Sequence, residues 1–333
     1  MWRRDLTIGL LLAPAIRTVW AQPVPKQHRI AIVISIGRVA SIDNPANRFW
    51  RPFFEELRRL GDVEGRNLVV ERYSGEGRPE RYDDLAREVV GHNPDVIVAI
   101  TNPIALAVRA ATATIPIVWI GVEPIGLGFA SSLARPGGNV TGVSLHDMEM
   151  NGKRLQILKD AAPSASRIAW LTMRASWEGS AGAFQPVLQE SSRRLQISVI
   201  PMLLRESIPS EYQRVFAEVA QDRPDGIVVS DIGDLIPYRQ LIVELVEKSH
   251  LPALYGYREF VEAGGLMAYE ADLGEAGQRM ADDVHEILNG ARPGNIPIYQ
   301  STKFQLILNI KAAQALGLAF PPALLGRADE VIE

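Results

Sequence analysis

The stretch RYDDLAREVVGHNPD, residues 81–95, returns at a constant offset of 130 residues as EYQRVFAEVAQDRPD, residues 211–225. Each copy has the pattern of an amphipathic helix that leads into a Pro-Asp turn, and Tyr82 recurs as Tyr212. Turns favour proline and aspartate wherever they occur, so convergence is the alternative explanation. Further short blocks recur in the same order, however, and this favours an internal repeat of two similar α/β units.

Short apolar runs alternate with longer amphipathic stretches through most of the chain. The first series predicts strands at 29–35, 67–73, 95–100 and 115–120, and helices at 45–60, 79–91 and 103–112. The second series predicts strands at 167–172, 197–203, 226–230 and 252–255, and helices at 184–195, 210–221 and 236–250. Such alternation indicates parallel sheets with right-handed crossovers. We therefore predict an α/β fold of two pseudo-symmetric, doubly wound parallel-sheet lobes.

The composition of the 333-residue chain excludes several classes of protein. It is 47% hydrophobic and 22% charged, which is typical of a folded globular protein and not of a disordered one. The net charge of −4 argues against a general nucleic-acid binder, which needs a basic face. Because the chain contains no cysteine, disulfides, thiolate metal sites and thiol nucleophiles are excluded.

Residues 1–21 have the pattern of an export signal. Arg3 and Arg4 form a positive start, residues 6–16 are apolar, and Ala21 supplies the small residue that a signal peptidase requires. A short membrane anchor is the alternative, and the paired arginines leave both general and twin-arginine export open. We predict cleavage near Ala21 and a periplasmic location for the mature protein.

No cluster of catalytic residues stands out in the sequence. The five histidines are never spaced three to five residues apart, and neither a G-x-S-x-G elbow nor a P-loop is present. His146 and Asp147 are close together, but a solvated turn explains them more simply than a hydrolase site. Two lobes that close on a small solute by hinge motion fit this pattern best. We therefore expect a binding protein without enzymatic activity, cofactor or metal; a receptor that feeds a membrane sensor and an exported hydrolase are the alternatives.

Four ordered blocks of sequence carry a family resemblance. They are SLARPGGNVTG at 132–142, EAGGLMAY at 262–269, STKFQLILNIKAAQALG at 301–317 and PPALLGRADEVIE at 321–333. With them the chain resembles ABC transporter substrate-binding proteins of the tryptophan/tyrosine-binding type, a family with the type I periplasmic binding protein fold. The resemblance implies a protein that captures a small-molecule solute and passes it to an ABC permease in the inner membrane. We expect the solute to be an amino acid or a related small carboxylate and the protein to be a monomer.

The resemblance also implies that the chain crosses three times between the lobes, near 145, near 270 and near 294–297. The N-terminal lobe would then consist of residues 28–145 plus 271–295. The C-terminal lobe would consist of residues 146–270 plus 296–333.

Family members bind their ligand through loops that follow the strands, and this sequence supplies candidates at those positions. The expected ligand-binding residues are Gly37, Arg38, Thr101, Asn102, Glu123, Trp177, Asp231, Tyr257 and Tyr269.

Each of the more chemically specific candidates also has a structural alternative. Arg38 could bind a carboxylate or lie on a solvated rim, and Thr101 could bind a carboxylate or cap a helix. Asp231 could bind an amino group or cap a helix, while Glu123 could bind an ammonium group or lie on the rim. Trp177 could stack on a flat ligand or pack against its own lobe.

Overall fold

The computed structural model describes residues 27–145, 149–179 and 184–333, so the predicted export signal at 1–21 lies outside the described residues. Strands are β1 (His28–Ile34), β2 (Leu68–Ser74), β3 (Val96–Ile100), β4 (Ile117–Gly121), β5 (Val140–Ser144), β6 (Arg167–Met173), β7 (Ser198–Leu204), β8 (Gly226–Val229), β9 (Ala253–Tyr255), β10 (Met267–Ala271), β11 (Tyr299–Gln300), β12 (Phe304–Asn309) and β13 (Glu330–Ile332). Helices are α1 (Trp50–Leu60), α2 (Tyr82–Gly91), α3 (Asn102–Ala111), α4 (Glu149–Ala161), α5 (Arg174–Gly179), α6 (Phe184–Leu195), α7 (Pro209–Gln221), α8 (Arg239–Ser249), α9 (Arg258–Glu262), α10 (Leu273–Leu288), α11 (Ile310–Ala315) and α12 (Pro322–Leu325). None of the helices so described is long and apolar enough to cross a membrane.

The strands of the described segments form two separate sheets. The first sheet has six parallel strands in the order β2-β1-β3-β4-β5-β11. The second has seven strands in the order β7-β6-β8-β9-β10-β12-β13, and all neighbours are parallel except β10 and β12. Two parallel α/β lobes are thus present, as predicted, and the second lobe adds one antiparallel pair.

Helices cover both faces of each sheet, which explains why the strands are apolar on both sides. In the first lobe, α1 and α10 bury one face of the sheet, and α2 and α3 bury the other. In the second lobe, α7, α8 and α9 bury one face, while α4, α6, α11 and α12 bury the other. Trp50, Trp119 and Trp170 are all buried in these cores.

One helix of each lobe comes from the opposite half of the chain. After β5 the chain leaves the first sheet, and α4 packs on β8 and β9 of the second. After β10 it returns, and α10 packs on β3, β4 and β5 of the first. Neither core is therefore complete until the chain has crossed between the lobes.

The repeated sequence blocks occupy equivalent places in the two lobes, which confirms the internal repeat. The offset of 130 residues that relates the blocks also relates β2 to β7 residue by residue. Asp95 accepts a hydrogen bond from the backbone N–H of Arg29 (2.8 Å), and Asp225 accepts one from Arg167 (2.9 Å). The same structural task at both sites explains why the Pro-Asp pair recurs.

Two of the boundaries that differ from the sequence prediction have a clear structural reason. Helix α1 begins at Trp50 and not at residue 45, because the Asn47 side chain accepts hydrogen bonds from the N–H groups of Phe49 and Trp50 and starts the helix there. Strand β11 pairs with β5 of the first sheet, although the predicted C-terminal lobe begins at 296. The chain therefore stays with the first lobe until Gln300.

A buried carboxyl in α10 generates a prediction about stability. Asp283 is 9% exposed, and its Oδ2 has no hydrogen-bond partner among the described residues. Burial, with added repulsion from Glu286 and Asp282, raises the pKa of Asp283 to about 8. Because the pKa of Asp283 is higher in the folded than in the unfolded protein, its protonated form contributes stability at low pH. This contribution is lost as the pH rises through 8.

We expect Asp283→Asn to raise the free energy of unfolding at pH 8 by about 1–3 kcal/mol, because the amide cannot ionise. The gain should shrink at pH 5, where the native carboxyl is protonated. Urea unfolding at both pH values measures this difference. Glu244→Gln, an exposed carboxyl in α8 of the other lobe, is the control, and an equal gain for both variants would contradict the explanation.

Candidate ligand-binding site

Loops at the carboxyl ends of the strands face each other between the two lobes. A Cβ atom placed on Gly233, after β8, would lie 4.0 Å from the Thr101 methyl group, after β3. The pKa of Tyr82 in the first lobe is raised to about 12 by burial and also by the charge of Asp234 in the second lobe. Because ligands of open parallel sheets bind beyond the carboxyl ends of the strands, this cleft is the candidate site.

Thr101 has a strained backbone at the edge of the cleft. Its φ is +83°, a conformation that residues other than glycine rarely adopt. Its hydroxyl donates a 2.8 Å hydrogen bond to the Oγ of Ser35, at the end of β1. The side chain makes no capping hydrogen bond to α3, so the N-cap alternative does not describe what the hydroxyl does.

Asn102 uses its side chain to hold a neighbouring loop. Its amide nitrogen donates to the Val122 carbonyl, and its amide oxygen accepts from the Val122 N–H, each over 3.1 Å. A Cβ on Gly121 would lie 2.2 Å from the same amide oxygen, so only glycine fits there. Asn102 therefore shapes the cleft by fixing the loop after β4.

The remaining first-lobe candidates lie in loops around the same edge. Gly37 has a φ of +90°, and its carbonyl accepts a hydrogen bond from the Ser74 hydroxyl (2.5 Å). Arg38 is exposed, as its rim alternative requires. Glu123 has a φ of +58°, and its carboxylate lies against its own loop near Gly126.

Asp231 forms a two-point ion pair with an arginine that sequence analysis did not single out. The Nη1 of Arg154 lies 3.0 Å from Oδ1 of Asp231, and Nη2 lies 3.0 Å from Oδ2. Arg154 is completely buried, whereas the Asp231 side chain is 18% exposed. The carboxylate therefore reaches solvent at the cleft while its charge is compensated from the lobe interior.

Tyr257 and Gly256 fix the backbone of the same loop. The Tyr257 hydroxyl donates to the Asp231 carbonyl (2.8 Å), and burial raises the pKa of Tyr257 well above its ordinary value. A Cβ on Gly256 would lie only 2.5 Å from the Asp231 Cα. Tyr257 thus supports Asp231 from inside the lobe.

The other two aromatic candidates pack against the second lobe. The Tyr269 ring lies 5.7 Å from the ring of Phe304, and burial raises its pKa. Trp177 is partly buried against the core that α4 and α6 share. It also lines a groove of about 360 Å³ with Leu188 and Val199. These contacts agree with the packing alternative for Trp177.

A second buried ion pair joins the two lobes beside the second crossing. Arg48, just before α1, contacts Glu270 at the end of β10 (2.5 Å) and Glu259 in α9 (3.3 Å). Glu270 is 1% exposed and also accepts a hydrogen bond from the backbone N–H of Arg258 (2.9 Å). Burial raises the pKa of Glu270, while Arg48 pulls it back down.

A periodic pattern could have drawn attention to Arg154 from sequence. It is separated by four residues from the buried Met150 and by four from the buried Leu158, so it lies on the apolar stripe of α4. A charged residue on such a stripe indicates a buried partner. Arg48 has no comparable signal, because its acidic partners are more than 200 residues away in the chain.

The hydrolase alternative rested on His146 and Asp147, which lie outside the described residues. Within residues 27–145, 149–179 and 184–333, no group of three or more histidine, aspartate or glutamate residues could hold a metal ion.

Comparison with known proteins gives a consistent family assignment. The family model described as ABC transporter substrate binding protein matches residues 36–332, which is most of the chain. A tyrosine-binding protein from Clostridioides difficile (strain R20291) is 23% identical over 286 residues, covering 85% of this chain and 81% of the relative.

Two solved structures have the same fold. A conserved domain protein from Vibrio cholerae has a TM-score of 0.83 and 26% identity, covering 92% of this chain and 100% of the other. An ABC domain from Streptococcus pneumonia in complex with L-Trp has a TM-score of 0.80 and 21% identity, with the same coverage of both chains.

Because Arg48 and Glu270 form a largely buried ion pair, replacing Arg48 should cause a large loss of stability. Arg48→Met leaves Glu270 buried without its cation, which should lower the free energy of unfolding by about 3–5 kcal/mol. The unpaired carboxyl would have a pKa above its unfolded value, so the variant should lose further stability between pH 5 and pH 8. Urea unfolding measures both effects. Arg51→Met is the control, because its ion pair with Glu55 is exposed and should contribute less than about 1 kcal/mol; equal losses would contradict the prediction.

Proposed function

Because the chain belongs to the ABC transporter substrate-binding protein family, we propose that it captures an amino acid or a related small carboxylate between its two lobes. The approach of the loops after β3 and β8 across the cleft carries this proposal, since Gly233, two residues after Asp231, comes against Thr101. A tyrosine-binding relative and a structural neighbour that holds L-Trp support the choice of ligand class.

The first-lobe wall suits the carboxylate end of such a ligand. Helix α3 begins at the cleft without a side-chain cap, so the N–H groups of Asn102 and Ile104 remain available to an anion, while Pro103 between them has no N–H. The positive end of the helix dipole points the same way, and the Thr101 hydroxyl lies beside it. The two N–H groups can donate to a carboxylate, and the Thr101 hydroxyl can join them by turning away from Ser35.

The second-lobe wall suits the ammonium end. Asp231 is the partly exposed carboxylate at the end of β8, and its loop is held from inside the lobe by Tyr257. A carboxylate in a partly desolvated cleft binds an ammonium group through charge-assisted hydrogen bonds. A zwitterionic amino acid would therefore bridge the two walls.

Such a bridge would favour the closed arrangement of the lobes, because the ligand contacts both walls only when they face each other. We infer that the closed form then docks on an ABC permease in the inner membrane. We also propose that the protein is exported and acts as a monomer in the periplasm. Binding without chemical turnover is all that this role requires.

A thermal-shift screen of the purified protein against amino acids, small carboxylates and flat heterocycles tests the proposal. A ligand at 100 times its dissociation constant adds about 2.7 kcal/mol of stability, enough to raise Tm by several degrees. We expect amino acids to be the class that raises Tm, with an affinity of about 1 µM by calorimetry. A shift only with a chemically different class would exclude this ligand assignment.

Variants of the two walls test where the ligand lies. Asp231→Asn should weaken amino-acid binding by about tenfold or more, because it removes a charge-assisted contact, and Thr101→Ala should weaken it by about fivefold. Isothermal titration calorimetry measures both changes. Asp222→Asn and Thr114→Ala, both at exposed positions of the same lobes, are the matched controls. Affinities within about twofold of the native protein would show that the site lies elsewhere.

A further inference from the structure

We propose that Arg154 is the positioning residue of this site: it holds the Asp231 carboxylate in a fixed direction towards the cleft. This inference rests on the proposed function for the ligand that Asp231 meets. Arg154 is fully buried and lies 77 residues from Asp231 in sequence. It would thereby control the part of the site that recognises an ammonium group.

The geometry of the ion pair carries the first step. Two nitrogens of the Arg154 guanidinium meet the two oxygens of Asp231, each over 3.0 Å. Such a planar fork sets the plane and direction of a carboxylate, which a single contact cannot do. Each carboxylate oxygen keeps further acceptor capacity beyond this contact. The partly exposed side of Asp231 can therefore accept from a ligand while the buried side is held.

The guanidinium is itself held by neutral acceptors. Its Nε and Nη2 donate to the Tyr269 carbonyl over 3.3 Å and 3.2 Å, and Nη1 donates to Oδ1 of Asn151 over 3.4 Å. No other acidic side chain among the described residues forms an ion pair with Arg154. Its positive charge is thus directed at Asp231.

The backbone of Asp231 is fixed independently of Arg154. The Tyr257 hydroxyl binds its carbonyl, and Gly256 lets the next strand pack directly against its Cα. The loop should therefore keep its course when Arg154 is replaced. What changes is the direction of the carboxylate.

The charges around Asp231 show what the loss of Arg154 would do. Tyr257 is close enough to Asp231, Glu259 and Glu270 for all three to raise its pKa, while the nearby Arg154 lowers it. Arg48 already pairs with both glutamates. Without Arg154, the Asp231 carboxylate would lose the two contacts that set its plane and direction, so it would no longer meet an ammonium group in a fixed geometry.

Ligand binding by Arg154→Met provides the first test, with L-tryptophan and its deaminated analogue indole-3-propionate as probes. The variant should bind L-tryptophan at least about 30-fold more weakly than the native protein. Arg154→Lys, which keeps the charge but not the planar fork, should recover only part of this loss. Binding of indole-3-propionate, which has no ammonium group, should change less than threefold, a difference below about 0.7 kcal/mol. Equal losses for both probes would indicate a merely structural role and overturn the proposal.

Unfolding of the ligand-free protein provides the second test. Arg154→Met should lower the urea midpoint of unfolding, because it removes the cation that meets both oxygens of a largely buried carboxylate. Adding Asp231→Asn should recover part of that loss, because the amide carries no charge, and an equal loss with and without Asp231→Asn would show that the two residues are not coupled. Arg214→Met, which removes a partly exposed ion pair of the same lobe, is the matched control.

The two tests separate the inference from the proposed function. If the native protein binds no L-tryptophan or other amino acid, the proposed ligand class is wrong, and the unfolding test still decides whether Arg154 and Asp231 act as a pair. If the native protein binds L-tryptophan but Arg154→Met weakens the binding of both probes equally, the role of Arg154 is wrong and the ligand class stands.

Discussion

The exchange of one helix between the two halves of the chain is the constraint on which the rest of the structure depends. A parallel sheet needs helices on both faces, and each lobe obtains one of them only after the chain has crossed from the other. The lobes are therefore tied together by their own cores. The residues that cross must lie beside the cleft, where the carboxyl ends of the strands also meet, so the hinge and the ligand site share one region.

Two arginines hold the second crossing from opposite sides. Arg154, in the second lobe, donates to the carbonyl of Tyr269, and Arg48, in the first lobe, pairs with the carboxylate of the next residue, Glu270. A buried charge without a partner is costly, so each arginine and its acidic partners hold one another in place. Since Arg154 also pairs with Asp231, the crossing and the candidate ammonium site share one cation.

The internal repeat places different chemistry at equivalent positions. Thr101 and Asp231 are related by the same offset of 130 residues that relates the repeated blocks, and each follows the third strand of its lobe's sheet. One presents a hydroxyl beside an uncapped helix, and the other a carboxylate backed by a buried arginine. One wall therefore suits a carboxylate and the other an ammonium group, as a ligand with opposite charges at its two ends requires.

The sequence by itself determined the architecture, because strand and helix patterns are local and the Pro-Asp blocks perform the same backbone task in both lobes. It also located the loops of the cleft, since those follow the strands. Only the tertiary structure decided which side chains work together. Arg154 and Asp231 are 77 residues apart, and Arg48 and Glu270 are 222 apart. Such pairs have no local pattern, since they arise only when the lobes fold and the crossings bring distant charges into one desolvated space.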